Sequence, residues 1–135
     1  MTHRDEISSK ICVSYSQAIM LYTQDQEEEA HKEVTHLTAM IHRWKNTETE
    51  INPSGWVVDS MDCALRAIRE AGGDTRKVIV TAVNYGGDAD PIGAIAGGLV
   101  GAQNGVDDIP SEWLAELPAD ICRRIEAFAA FCAGV

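Results

Sequence analysis

The chain has 135 residues, four cysteines and a formal charge of −10 from 11 basic and 21 acidic side chains. That is enough length and apolar content for one domain with its own core. The charge balance argues against non-specific nucleic-acid binding, which needs Lys and Arg to neutralise phosphates.

The opening, MTHRDEISSK, is too polar for a secretory signal. The longest mostly apolar run, Pro91 to Ala102, falls well short of the ~20 residues a membrane span needs. The chain therefore reads as soluble and cytoplasmic, with no membrane partner. Cys12, Cys63, Cys122 and Cys132 form no CxxC pair and each falls in an apolar pattern, so all four read as small buried hydrophobes kept reduced.

In chain order, Ile7, Ile11, Tyr15, Ile19 and Tyr22 recur at steps near 3.6 and form one helical face. Ala30, Val34, Leu37, Ile41 and Trp44 do the same in a second helix. Its first turn is acidic, with Asp25 and Glu27 to Glu29, as the helix dipole favours. KNTETEINPSG is a polar loop broken by Pro53 and Gly55. Val57, Met61, Ala64, Leu65 and Ile68 define a third helix, closed by Gly72 and Gly73. Asp74 can cap a fourth, in which Val78, Ile79, Ala82 and Val83 are expected to be buried. KVIVTAV alone could be a strand, but no second strand exists to pair with it.

Asp90 followed by Pro91 reads as the cap and first residue of a fifth helix, running to about Asn104 and stopping at Gly105. Pro110 and Ser111 open a short helix carrying Trp113 and Leu117, which Pro118 ends. Ile121, Ile125, Phe128 and Cys132 mark a last one. The expected architecture is one all-α domain over 1–135.

The stretch NYGGDADPIGAIAGGLVGA, from Asn84, carries the chemistry. Gly86 and Gly87 permit positive φ, so a helix can end there and the chain reverse. Gly93, Gly97, Gly101 and Gly105 recur every four residues, each costing ~1 kcal/mol against alanine in a helix interior. Such a stripe predicts a central helix approached closely by another backbone. A cap role explains Asp90 completely. Asp88 has no such account, and two carboxylates two residues apart repel unless a cation sits between them. Oxygen ligands on a rigid turn suit Mg²⁺, Mn²⁺ or Ca²⁺.

Other sites fit poorly. An EF-hand loop starting at Asp88 would have Leu99 at position 12, where glutamate is required. His31 and His36 are five apart, off the shared face a zinc helix needs, and His42 lies six beyond. Ser54 and Ser60 lie in no GxSxG elbow, and GGDADPIG lacks a phosphate loop's GK[ST] ending.

Ala82 to Leu117, AVNYGGDADPIGAIAGGLVGAQNGVDDIPSEWLAEL, resembles the C-terminal signature of the ADP-ribosylglycohydrolase family. That signature is an N-x-GGD-x-D turn, a glycine- and alanine-rich helix, then a G…IP..W...L segment. SGWVVDSMDCALRAI, from Ser54, resembles the family's preceding helix, so residues 54–117 carry the likeness. The resemblance implies an all-α fold and paired Mg²⁺ or Mn²⁺ ions. It further implies hydrolysis of the glycosidic bond between ADP-ribose and a protein side chain or small molecule. Asp88 and Asp90 match the family's C-terminal metal ligands.

Two departures temper that expectation. Pro91 stands where the family has a Ser or Thr ligand, and the family's N-terminal GD and DDT motifs are missing from this sequence. The chain thus resembles a C-terminal half, with weak metal binding expected in isolation. Two outcomes follow: a glycohydrolase completed by a second chain or by self-association, or a non-catalytic remnant acting as a binding module. Either predicts an exposed apolar surface where the other half would dock.

Overall fold

A computed structural model describes residues 6–45 and 50–134. Residues 1–5 of the polar opening and 46–49 of the KNTETEINPSG loop lie outside the described residues. Seven α-helices and no strand are found among the described residues, as the sequence predicts: α1 (Glu6–Thr23), α2 (Glu27–Lys45), α3 (Val57–Ala71), α4 (Thr75–Asn84), α5 (Ala89–Asn104), α6 (Ser111–Ala115) and α7 (Ala119–Cys132). A single 3₁₀ turn, Val106–Asp108, precedes α6.

The helix ends show why the chain folds this way. Asp25 adopts a left-handed conformation (φ 57°) and makes the turn between α1 and α2, so it lies before the acidic first turn of α2 rather than within it. Gly72 closes α3 in a left-handed cap, and the Gly72 and Gly73 amides donate to the Arg69 and Ile68 carbonyls. The Asp74 carboxylate accepts from the Lys77 amide at 2.8 Å and caps α4. The KVIVTAV segment is accordingly helical.

Two apolar clusters build the core. Ile11, Ala18, Tyr22, Ala30, Leu37, Ile41, Val58, Met61, Leu65 and Leu99 join α1, α2, α3 and α5. Cys63, Ala64, Ala67, Val78, Ala82, Ile92, Ala96 and Val100 join α3, α4 and α5. Helix α5 takes part in both and packs on α1, α3 and α4, which is the central position its glycines implied. Burying these side chains contributes roughly 1.5–3 kcal/mol for each of the larger ones.

The close approach to α5 falls only partly where the four-residue stripe placed it. A Cβ on Gly97 would meet Ile79 at an ordinary 3.6 Å, and one on Gly101 would meet nothing within 4 Å. The crowded positions are Gly98, facing the Tyr15 hydroxyl, and Gly93, facing Val83 Cγ1 at 2.9 Å. At these two positions the near neighbour is a side chain, of α1 or of α4, rather than another backbone. Val83 itself is exposed and Ile79 only half-buried, although α3 and α5 both pack on α4. Of the cysteines only Cys63 is buried; Cys12 and Cys132 are exposed and Cys122 partly so, since their helices present those positions outward.

Helix α7 departs most from its periodicity. Ile121, Ile125, Phe128 and Phe131 are all exposed, Phe131 by 79 %, and no residue of α7 is buried. The preceding segment is anchored at the start of α4. Asp108 accepts from Thr75 Oγ1 (2.5 Å) and Asn104 Nδ2 (2.9 Å), and Asn104 also donates to the Gly73 carbonyl. Arg76 pairs with Glu112 and lies over the Trp113 ring. Beyond these ties α7 presents its apolar face to solvent. Leu117 lies past the end of α6 and is also exposed.

Candidate metal-binding turn

Helix α4 ends at Asn84, and Tyr85 forms its cap. The Tyr85 hydroxyl donates to Glu70 at 2.8 Å, pinning the end of α4 to α3. Burial pushes that hydroxyl well above its usual range, and the adjoining Glu70 carboxylate raises it further. Gly86 (φ 76°) and Gly87 (φ 57°) then reverse the chain, as the glycine pair predicted.

The helix that follows starts earlier than DAD-Pro suggested. Asp88 is the cap residue of α5, and Asp90 lies inside its first turn. Pro91 is the third helical residue, still within the turn whose N–H groups have no helical acceptor. The Asp88 side chain makes no capping hydrogen bond. A cap role therefore explains neither carboxylate: Asp90 is past the cap, and Asp88 occupies it without using its oxygens.

What fixes Asp88 is the loop before α3. Its amide donates to the Pro53 carbonyl at 2.9 Å. Gly87 lies so close to Pro53 that an added Cβ would collide with the Pro53 carbonyl oxygen. A Cβ on Gly55 would come within 3.0 Å of Asp88 Oδ2. Gly55 and Gly87 are thus small because a carboxylate-bearing turn is seated between them. The resulting cradle is partly open, with Asp88 and Asp90 both exposed.

Among the described residues neither carboxylate has a hydrogen-bond donor or a paired cation. Two unpartnered acidic groups, one cap and one first-turn residue at a helix start, fit a hard divalent cation by donor chemistry. The donor set is partial. No group of three or more His, Cys, Asp or Glu residues able to hold a metal occurs among the described residues. Pro91 adds no side-chain oxygen. His31 and His36 lie elsewhere: His31 is bonded to the Glu27 carbonyl and packs edge-on against Tyr22, while His36 is exposed on α2.

Sequence reasoning missed the charged cluster beneath this loop. Lys45 is paired with Asp62 (2.7 Å) and Asp59 (3.6 Å), and Arg66 with Asp62 (3.0 Å), all with side chains at least 88 % buried. The signal was available. WVVDSMDCALRA places Asp59, Asp62 and Arg66 at helical spacing within an otherwise apolar helix, and buried charges need partners.

Comparison with known proteins identifies the class to which this fold and turn belong. The ADP-ribosylglycohydrolase family model matches residues 1–134, and the chain belongs to that family. It is 34% identical over 127 residues to the ADP-ribosyl-[dinitrogen reductase] glycohydrolase of Rhodospirillum rubrum, covering 93% of this chain and 42% of that protein. It is 36% identical over 73 residues to the ADP-ribosylarginine hydrolase Tri1 of Pseudomonas putida (strain GB-1), covering 54% of this chain and 19% of the relative. YegU of Escherichia coli (strain K12) is 39% identical over 62 residues, 46% of this chain and 19% of its own length. The chain spans less than half the length of each of these relatives. No solved structure matches it. No helix among the described residues is long and apolar enough to cross a membrane.

Proposed function

We propose that this chain supplies the C-terminal part of an ADP-ribosylglycohydrolase site, with Asp88 and Asp90 as two carboxylate ligands for Mg²⁺ or Mn²⁺. The observation that carries the reading is the pair of partnerless carboxylates on a turn seated against Pro53 and Gly55. The relatives are named for hydrolysis of ADP-ribosyl groups on dinitrogen reductase and on arginine. The substrate class is accordingly an ADP-ribosylated protein or small molecule. A bound cation would orient ribose hydroxyls and water at the glycosidic bond. The chain's own contribution is to hold two oxygens in register, through the Asp88 amide and the glycine pair. Two carboxylates are two of the roughly six oxygens Mg²⁺ takes, so the remaining ligands come from water or from residues outside this chain.

Incubating the purified chain with Mn²⁺ and following paramagnetic broadening of the Asp88 and Asp90 amides tests the metal reading. Broadening centred on those amides, with affinity on the order of millimolar, is expected. Broadening elsewhere, or broadening that survives Asp88→Asn combined with Asp90→Asn, would refute it. The isolated chain should not release ADP-ribose from an ADP-ribosylated arginine substrate.

A second reading rests on α7. Its exposed Ile121, Ile125, Phe128 and Phe131 suit a module that docks on another chain or on a second copy without turnover. Hydrolysis reconstituted by adding an N-terminal family segment in trans would favour the enzyme reading over this one.

A further inference from the structure

The end of α2, helix α3 and the loop before α3 meet under the turn that carries Asp88, joined by one run of polar contacts. Lys45, the last residue of α2, reaches inward with its ammonium 2.7 Å from Asp62 and 3.6 Å from Asp59, both on α3. It also donates to the Glu50 carbonyl at 3.2 Å. Asp59 uses its other oxygen upward. Oδ2 accepts from Asn52 Nδ2 at 2.8 Å and from Ser54 Oγ at 2.6 Å. Those residues flank Pro53, whose carbonyl accepts the Asp88 amide. Ser60 Oγ donates to the Ser54 carbonyl at 2.8 Å and fixes the same loop from a second side.

The chemistry of the run is specific. Asp59 is 5 % exposed and Asp62 2 %. A carboxylate so buried is retained only with charge and hydrogen-bond partners, and here the partners lie on both sides of it. Lys45 satisfies Asp59 from below, and the loop satisfies it from above. A hydrophobic pair of equal volume could fill the space but could not hold two loop donors at hydrogen-bond distance. The arrangement thus fixes the height of the loop on α3, and the loop fixes the turn.

We infer that Asp59, held by Lys45, is a positioning residue for the Asp88 carboxylate, acting through Asn52, Ser54 and the Pro53 carbonyl. Its functional meaning rests on the reading of Asp88 as a metal ligand. The mechanical link itself does not. Removing the Asp59 carboxylate frees the loop, releases the Asp88 amide and spreads the two ligand carboxylates over many orientations. A cation held by only two protein oxygens loses affinity when either wanders.

The experiment compares the wild-type chain with Asp59→Ala and Asp59→Asn by amide hydrogen exchange and by Mn²⁺ titration of amide broadening. In Asp59→Ala the Asp88 amide should exchange about tenfold faster or more, while Ala96 and Val100 in the core of α5 keep their protection. The Mn²⁺ concentration for half-maximal broadening at Asp88 and Asp90 should rise about tenfold. Asp59→Asn, which retains an acceptor oxygen, should fall between the two. A folded Asp59→Ala whose Asp88 amide exchanges as in the wild type overturns the inference, as does an unprotected Asp88 amide in the wild type. Should Asp59→Ala fail to fold, Asn52→Ala with Ser54→Ala cuts the link above Asp59 and leaves the ion pairs in place. An unchanged Asp88 amide in that variant overturns the inference equally. Release of the Asp88 amide in a chain that shows no Mn²⁺ broadening even as wild type would uphold the link and sink the metal reading.

Discussion

The Tyr15 hydroxyl donates to the Ile95 carbonyl at 3.0 Å, and a Cβ placed on Gly98 would lie 2.5 Å from that same hydroxyl. A tyrosine of α1 thus occupies the space a side chain on α5 would need. Gly98→Leu should lower stability by about 2 kcal/mol through overpacking. Tyr15→Phe should cost about 1 kcal/mol for the lost bond. In the double variant the two should not add, because Phe removes the oxygen that Leu collides with. Gly101→Ala, facing open space on the same helix, should raise stability by up to ~1 kcal/mol. Urea midpoints for the four proteins check the set, and additivity of the first two changes would refute the contact.

Lys45→Met should be among the most damaging single changes. It removes the ammonium paired with Asp59 and Asp62, while Arg66 stays on Asp62. Breaking a buried pair from one side costs about 3–5 kcal/mol. Thermal unfolding of Lys45→Met beside Arg43→Met, an exposed neighbour, reads the difference. Equal melting temperatures would mean the cluster contributes no net stability.

Asp108 makes a pH prediction. Hydrogen bonds from the Thr75 side chain, from Asn104 and from the Thr75 amide hold its carboxyl below the ordinary aspartate range. A folded-state value below the unfolded one stabilises the chain above the unfolded value, near 3.9, and that contribution is lost as pH falls through the folded value. Asp108→Asn should therefore flatten the acid side of the stability profile below about pH 4 and change its shape little near neutrality. Denaturant melts at stepped pH values provide the measurement. An acid limb that Asp108→Asn leaves as steep as in the wild type would remove Asp108 from the account.

Helix α7 predicts concentration-dependent association. Its four exposed apolar side chains form a patch that water disfavours. Light scattering at tens of micromolar should show a mass above one chain, and Phe128→Glu with Phe131→Glu should return it to the monomer. A monodisperse wild-type monomer would show that the face is tolerated uncovered.

The sequence made much of this fold legible, and it did so where the governing chemistry is local. Gly72, Gly73 and Asp74 stop one helix and start the next using contacts within a few residues, so both boundaries could be read directly. Asp88 and Asp90 are different. DAD offers two equivalent carboxylates, and the choice of cap is made by the Pro53 carbonyl in another loop. Spacing likewise favours Gly97 over Gly98, yet Gly98 is the crowded one. Which of them is crowded depends on where Tyr15 arrives from α1. Periodicity gave α7 its helix and its apolar face but not the absence of a cover, because amphipathicity records a preference and not its satisfaction.

The placement of Leu99 bears on how the chain is made. It belongs to the cluster formed by Ile11, Tyr22, Leu37 and Ile41, yet it is translated long after them. Helices α1 and α2 leave the ribosome as a pair with one greasy side bare; Val58, Met61 and Leu65 of α3 cover part of it, and the cover is completed only when α5 brings Leu99. Synthesis at about 5–20 residues per second makes the wait one of seconds. Arrested nascent chains ending before Leu99 should be captured by chaperones that bind apolar segments, and chains extended through α5 should be released. Capture that does not change as Leu99 emerges would show that the early pair shields itself.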